Sequence, residues 1–333
     1  MKNNTEYAIT SLKTINIHYT INFPSEVYTL IQLENNFILA GLGNGSLYFF
    51  NVNNIQKPFF ILNVDDTPIT NILQLKNGTI VCATKNPSIC TIVEHPQNKN
   101  EYEVDKRINI KTQGHQINKI IELENNNIIS IDNAYISLWS NKFDLIKEKK
   151  INSPIIDIIL LNKNKFVCAL PLKKCLKYFE SEKLNQEYEI KNIKFIQSLD
   201  LNNIFCILND EFLFVGGCLG CIYLINLKYK EFVANIKLRN EKEIITSVYN
   251  LVNGDLLCGG SLVFDDNNNK VVKVESDLIQ FQYRQYKNSF KEIARKKGLH
   301  ENIIRDIKEI INHKKMKEVV TVSLDGTIIL LNN

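Results

Sequence analysis

One heptapeptide pattern recurs along the chain and limits what it can fold into. VYTLIQL (27–33), ITNILQL (69–75), INKIIEL (117–123), IIDIILL (155–161), LNNIFCI (201–207), ITSVYNL (245–251) and IRDIKEI (304–310) start 42, 48, 38, 46, 44 and 59 residues apart. The register of the fifth is open by one residue. Polar turn residues follow: ENN after the first and third, KNG after the second, NKN after the fourth, VNG after the sixth. A short apolar segment comes next and tends to end in small residues: FILAG, IVCAT, FVCAL, FLFVG, LLCGG. After another turn, clearest in GNG (43–45) and LDG (324–326), a third apolar segment closes the unit: SLYFFN, SICTIV, YISLWS, CIYLIN, TIILLN.

Taken singly, each heptamer would serve as two helical turns or one strand. Each stops at Asn or Gly after about two turns, which is too short for a helix worth nucleating. Short runs of Ile, Val, Leu and Phe between Asn-Gly and Asp-Gly turns instead read as antiparallel meanders. Apolar residues on both faces place each sheet between two neighbours. Sheets built from units of about 40–45 residues and stacked side by side make a β-propeller.

The last unit ends at its third strand, which leaves an edge to be paired. TINIHYTINF (14–23) belongs to no unit, and its Ile15, Ile17, Tyr19 and Ile21 alternate with polar residues. It is expected to be the outer strand of the seventh blade. The expected divisions are a closing strand over 1–23 and blades over 24–66, 67–112, 113–152, 153–192, 193–240, 241–276 and 300–333.

The long final spacing leaves residues 277–299 over, and their pattern differs. Ile279, Tyr283, Tyr286, Phe290 and Ile293 fall at intervals of four and three, which predicts an inserted helix between blades 6 and 7. Asp277 suits its start and Gly298 its stop. From Arg284 to Lys317 there are 11 basic and 4 acidic residues, although the net charge of the whole chain is only +4. Arg284, Lys287, Lys291, Arg295, Lys296 and Lys297, with Lys314, Lys315 and Lys317 of HKKMK, are therefore the candidate partner-binding cations. A basic amphipathic helix would dock on an acidic protein, RNA or an anionic membrane lipid. It would equally pack on the propeller's side with its lysines solvated.

Composition narrows the remaining classes. The N-terminus lacks the apolar core of a signal peptide, and the longest apolar runs are too short to span a bilayer. Eight cysteines, three of them in the similar contexts IVCAT, FVCAL and LLCGG, read as buried free thiols of a reducing compartment, cytoplasmic or nuclear. Cys218 and Cys221 form one C-x-x-C without the second pair that zinc needs, so no metal is expected. The five histidines are scattered, and GLGNG (41–45) lacks the Lys-Ser/Thr of a phosphate loop. No reaction, cofactor or small-molecule substrate is indicated.

The units resemble the WD40 repeat. ITSVYNLVNGDLLCGG looks like the first two strands of a WD40 blade, and VTVSLDGTIILLNN (320–333) like the second and third. Leu331-Asn332 stands where Trp-Asp would, as do Phe50-Asn51, Trp139-Ser140 and Ile225-Asn226 in their units. The third unit keeps most of the family's hydrogen-bonded network: Gly114-His115 before its first strand, Ser130, Trp139, and Asn133 in place of the usual Asp. The resemblance implies an all-β, seven-bladed ring closed by the N-terminal strand, serving as a non-catalytic platform for other proteins in a multiprotein assembly. The alternative is direct binding of RNA or anionic lipid through the basic insertion.

Overall fold

Each heptamer forms the innermost strand of an antiparallel meander. The computed structural model describes residues 16–110, 116–162, 165–193, 204–208, 211–217, 221–238, 243–251, 253–265, 271–284, 289–312, 314 and 316–332. These form seven four-stranded sheets, named blades 1–7 here, with strands a to d running from the inside outward. Blade 1 is typical: Val27–Gln32, Phe37–Leu42, Ser46–Asn51 and Phe60–Asn63. An antiparallel meander puts the d–a and b–c loops at one end of the ring, the upper face, and the a–b and c–d loops at the other.

The seventh blade is composite. Ile304–Ile311, Lys317–Ser323 and Thr327–Asn332 supply strands a to c, and Asn16–Asn22 supplies strand d. The pairing runs from Asn16 opposite Asn332 to Asn22 opposite Thr327. Tyr19, Ile21 and Phe23 pack against a core shared by blades 7 and 1, which holds Val27, Ile38, Phe50, Val320 and Leu330. Among the described residues seven apolar clusters occur, and each lies between two adjacent blades. This is why the strands are apolar on both faces: the core is divided among the blade interfaces.

A close approach repeats at these interfaces. A Cβ added at Gly41 would stand 2.8 Å from the Ile69 side chain, and one at Gly216 or Gly259 would crowd Ile245 or Ile304 in the same way. These three isoleucines each begin the next heptamer, near the start of the next innermost strand, so the glycines let blades meet at backbone distance. The equivalence also settles the fifth register. Gly216 donates its backbone NH to Ile204 at 2.9 Å. Ile204 therefore stands where Thr29 and Ser247 stand opposite Gly41 and Gly259, and the heptamer starts one residue later, at 202.

Among the described residues the predicted helix is absent. Residues 271–284 and 289–300 are strands c and d of blade 6, which runs Glu243–Asn250, Leu256–Asp265, Val271–Arg284 and Ser289–His300. The extra length lies in a b–c hairpin that extends beyond the usual blade, with pairing from Ser261–Ser276 out to Asp265–Val271. The helical spacing has a simple origin. Tyr283 and Phe290 are directly opposed across the c–d turn, with ring centroids 4.8 Å apart. Ile279, Phe281, Tyr283 and Phe290 thus share one sheet face toward blade 5. A chain that reverses between two apolar residues can imitate an interval of seven.

Candidate functional site

The third places of the heptamers are Thr29, Asn71, Lys119, Asp157, Ile204, Ser247 and Asp306. In five of the blades a register shift between the first and third residues sets the turn of the strand there. Asn71, Lys119 and Asp157 latch blades together. Asn71 Oδ1 accepts the Ile120 backbone NH at 3.1 Å, and Asp157 Oδ2 accepts the Phe205 NH at 3.1 Å. Residues before the third place act likewise. Thr70 Oγ1 donates to the Ile117 carbonyl at 2.5 Å, Asn118 Nδ2 to that of Ile155 at 2.6 Å, and Thr246 Oγ1 to that of Ile304 at 2.8 Å. Each bond satisfies a backbone group on an inner edge strand that its own sheet leaves open.

Asp157 is the most heavily used of these. Fully buried, it also accepts Lys119 Nζ at 2.7 Å and its neighbour's NH at 2.8 Å. Asp306 is nearly buried as well. Burial pushes its carboxyl up, and Lys308, 3.4 Å away, and Lys119 pull it back. Paired charges and satisfied carboxylates at the centre make this a structural collar.

Of the network expected in blade 3, Trp139 Nε1 donates to Ser130 Oγ at 2.9 Å, and Asn133 accepts from Asn118 at 3.0 Å. His115 lies outside the described residues. A fuller network occurs in blade 7. His300 is buried between Thr321 Oγ1 at 2.8 Å on one ring nitrogen and Asp325 Oδ2 at 3.0 Å on the other. Asp325 turns the Leu324–Gly326 loop and accepts the Glu301 NH at 3.0 Å. Burial alone would raise its carboxyl. His300, Thr327 and the Glu301 amide outweigh that and hold it at about 2. The signal in the sequence was Gly298-Leu299-His300, one residue longer than Gly-His, followed by Asp-Gly at 325–326.

The candidate cations do not form one surface. Arg295 is enclosed: Glu243 at 2.7 Å, Asp277 at 2.8 Å and Glu292 at 3.1 Å surround it, and only 13 % of its side chain is exposed. A side chain at Gly260 would stand 2.4 Å from Glu243 Oε1, so the glycine leaves room for that carboxylate. Arg284 closes strand c of blade 6 at the lower face, whereas Lys296 and Lys297 lie near the upper end of strand d. The eight residue steps from Ser289 to Lys297 span about 26 Å of strand. Lys291 and Lys297 are exposed, and Arg284, Lys296 and Lys317 are half-buried. Lys314 is exposed on the a–b loop of blade 7, while Lys287 and Lys315 lie outside the described residues.

Lys314 lines a cleft of about 350 Å³ at the ring's closure, between His18, Asn53, Ile55, Met316 and Glu318. Glu318 there accepts Asn312 Nδ2 at 3.2 Å and lies 3.4 Å from His18 Nδ1. On the upper face a polar cleft of about 410 Å³ includes Asp65, Asn86 and Arg107. Arg107 pairs with Asp65 and donates to the Val64 carbonyl, so its charge is already used.

Seven described cysteines are buried, with no disulfide among the described residues, and Cys218 lies outside them. Cys82 and Cys90 face each other across strands b and c of blade 2. Cys82 hydrogen-bonds to Cys90 and, against burial and helped by Arg107 and Ser88, draws its thiol below the usual thiol range. Among the described residues no group of three His, Cys, Asp or Glu is placed to hold a metal ion. Among the same residues no helix is long and apolar enough to cross a membrane.

No family model matches the chain, and no curated protein does so by sequence. Solved structures do. The crystal structure of the WD40 β-propeller domain of Doa1 is similar with a TM-score of 0.67 over 96% of this chain and 98% of that one, at 12% identity. At that identity the likeness speaks for architecture alone. The chain has the fold of a seven-bladed, WD40-like β-propeller.

Proposed function

We propose that this protein is a non-catalytic scaffold on which other proteins assemble. The observation that carries the reading is where its chemistry-bearing groups are spent. Asp157, Lys119, Arg295, Glu243 and His300 are all engaged in holding blades together or strands within them. What remains open to a partner is loop-rimmed surface on a rigid ring, and such rings vary their loops without disturbing their strands. WD40-like propellers typically serve as protein-interaction platforms, and the fold supports that reading here by analogy.

Binding of RNA or anionic lipid through a basic helix loses its basis with the helix. The exposed cations Lys291, Lys297 and Lys314 are offered instead as rim contacts for an acidic protein surface.

The test is affinity purification from native extract at low and high salt, with the retained material identified as protein or nucleic acid. The scaffold reading predicts a defined set of proteins in fixed proportion that survives high salt, because a packed interface is less salt-sensitive than phosphate contacts. Retention of nucleic acid alone, lost as salt rises, would contradict it.

A further inference from the structure

Exposed aromatic side chains are concentrated at one seam. Four of the large exposed apolar residues among those described are aromatic: Phe59, Tyr188, Tyr229 and Phe232, and the last three lie along the outer meeting of blades 4 and 5. Tyr178 on strand c of blade 4 (Cys175–Glu180) and Tyr188 on its strand d (Asn185–Lys191) are opposed, with ring centroids 6.1 Å apart. Across the seam, Tyr223 on strand c of blade 5 (Cys221–Asn226) and Phe232 on its strand d (Glu231–Lys237) have centroids 5.9 Å apart. Tyr178 and Tyr223 belong to the apolar cluster between these blades, so both pairs edge the same interface.

Two lysines border the aromatic slot. Lys230 Nζ lies 5.3 Å from the Tyr188 ring centre and 5.8 Å from that of Tyr178, and Lys228 lies 5.3 Å from the ring of Tyr229. Among the described residues neither ammonium has a carboxylate partner. Two nearby acids on strand d of blade 4 are matched by lysines of their own blade: Glu187 by Lys165 at 2.8 Å and Glu189 by Lys177 at 3.6 Å. Glu180, Glu182 and Glu231 lie on the same strands and turns, and among the described residues none of them forms a salt bridge with Lys228 or Lys230, so both ammoniums are open to a ligand.

A further observation points to something missing. The Tyr178 hydroxyl is buried and has no hydrogen-bond partner among the described residues. Buried hydroxyls are normally paired, because an unpaired one gives up water for nothing. Burial, with Tyr188 close by, pushes this phenol well up, so it stays a proton donor. An unpaired donor, two unmatched cations and exposed ring faces together fit a ligand with carboxylates and apolar side chains.

We propose that the outer seam of blades 4 and 5 docks an extended acidic segment of a partner protein. Its carboxylates sit on Lys228, Lys230 and the Tyr178 hydroxyl, and an apolar side chain lies between Tyr188 and Phe232. The proposal rests on the scaffold reading and adds to it a place and a partner chemistry.

The test is fluorescence anisotropy with the full chain and a fluorescein-labelled peptide, Glu-Glu-Phe-Glu-Glu-Leu, against the same peptide with Lys in place of Glu. The acidic peptide should bind at least about tenfold tighter. Lys228→Ala with Lys230→Ala should weaken it about fivefold or more, and Phe232→Ala comparably. Tyr178→Phe should weaken it about threefold without lowering the melting temperature, since the lost hydroxyl had no partner in the free protein. Equal affinity for both peptides, or wild-type affinity in all the variants, would overturn the proposal. The affinity purification separates the two readings. A Lys228→Ala, Lys230→Ala protein that keeps every partner overturns the seam and leaves the scaffold standing. A wild type that retains no protein overturns the scaffold reading, and the seam with it.

Discussion

At the scale of residues, the ring is held by a few polar side chains placed where two blades meet. Asp157 holds the Lys119 ammonium and the Phe205 amide, and so joins blades 3, 4 and 5. Asp157→Ala should cost about 3–5 kcal/mol, because it leaves a mostly buried ammonium and an inner-edge amide unpaired. The urea midpoint at constant slope reports this, and Lys119→Met with Asp157→Leu together should cost less than Asp157→Ala alone. Asp325 makes a pH prediction. Its carboxyl is held at about 2, below the unfolded value of about 3.9. Its contribution is thus fully present above the unfolded value and lost as pH falls through about 2. Asp325→Asn should be less stable than wild type at neutral pH, and thermal melts should show the gap closing toward pH 2. A gap that stays constant with pH would mean that the His300 pairing contributes nothing through charge. None of this was legible residue by residue. The polar third place of each heptamer was visible in the sequence, but its partner lies some 48 residues away in the next unit.

At the scale of elements, the repeat was readable because turn chemistry and strand length are local. Blade 6 was not, because two signals competed there. Tyr283 and Phe290 satisfy a helical interval on paper and a cross-strand pairing in the fold. The pairing wins because it extends a sheet already nucleated by Leu256–Asp265, while a lone helix would have only one face to bury. The basic residues then take strand positions, and Arg295 turns inward onto three carboxylates. Replacing residues 277–298 with a Gly/Ser linker should therefore remove most of two strands, expose Phe214 and Ile245, and unfold the blade. Near-ultraviolet circular dichroism and a loss of soluble protein would show it. An unchanged melting curve would mean that the segment is an appendage after all. Arg295→Met tests the same element more gently: breaking the cluster on one side should cost about 3–5 kcal/mol.

At the scale of the whole molecule, stability and function both depend on closure. Seven interfaces of like composition circle the ring, and one of them is completed by residues from the chain's other end. The WD40 resemblance implied that closure and the alternation of Ile17, Tyr19 and Ile21 supported it, so the architecture was legible even with no Trp-Asp dipeptide present. The candidate surfaces were less so. An exposed aromatic seam needs two blades side by side, and no spacing within either blade announces it. A scaffold presents a surface only while the ring is shut, and hydrogen exchange read by mass spectrometry tests that most directly. The amides of Asn16–Asn22 that bond to Thr327–Asn332 should be protected together with those of strand c, and deleting residues 1–23 should abolish protection in both 304–311 and 327–332. Exchange of 16–22 at the rate of a free peptide, with blade 7 still protected after the deletion, would contradict a closed ring.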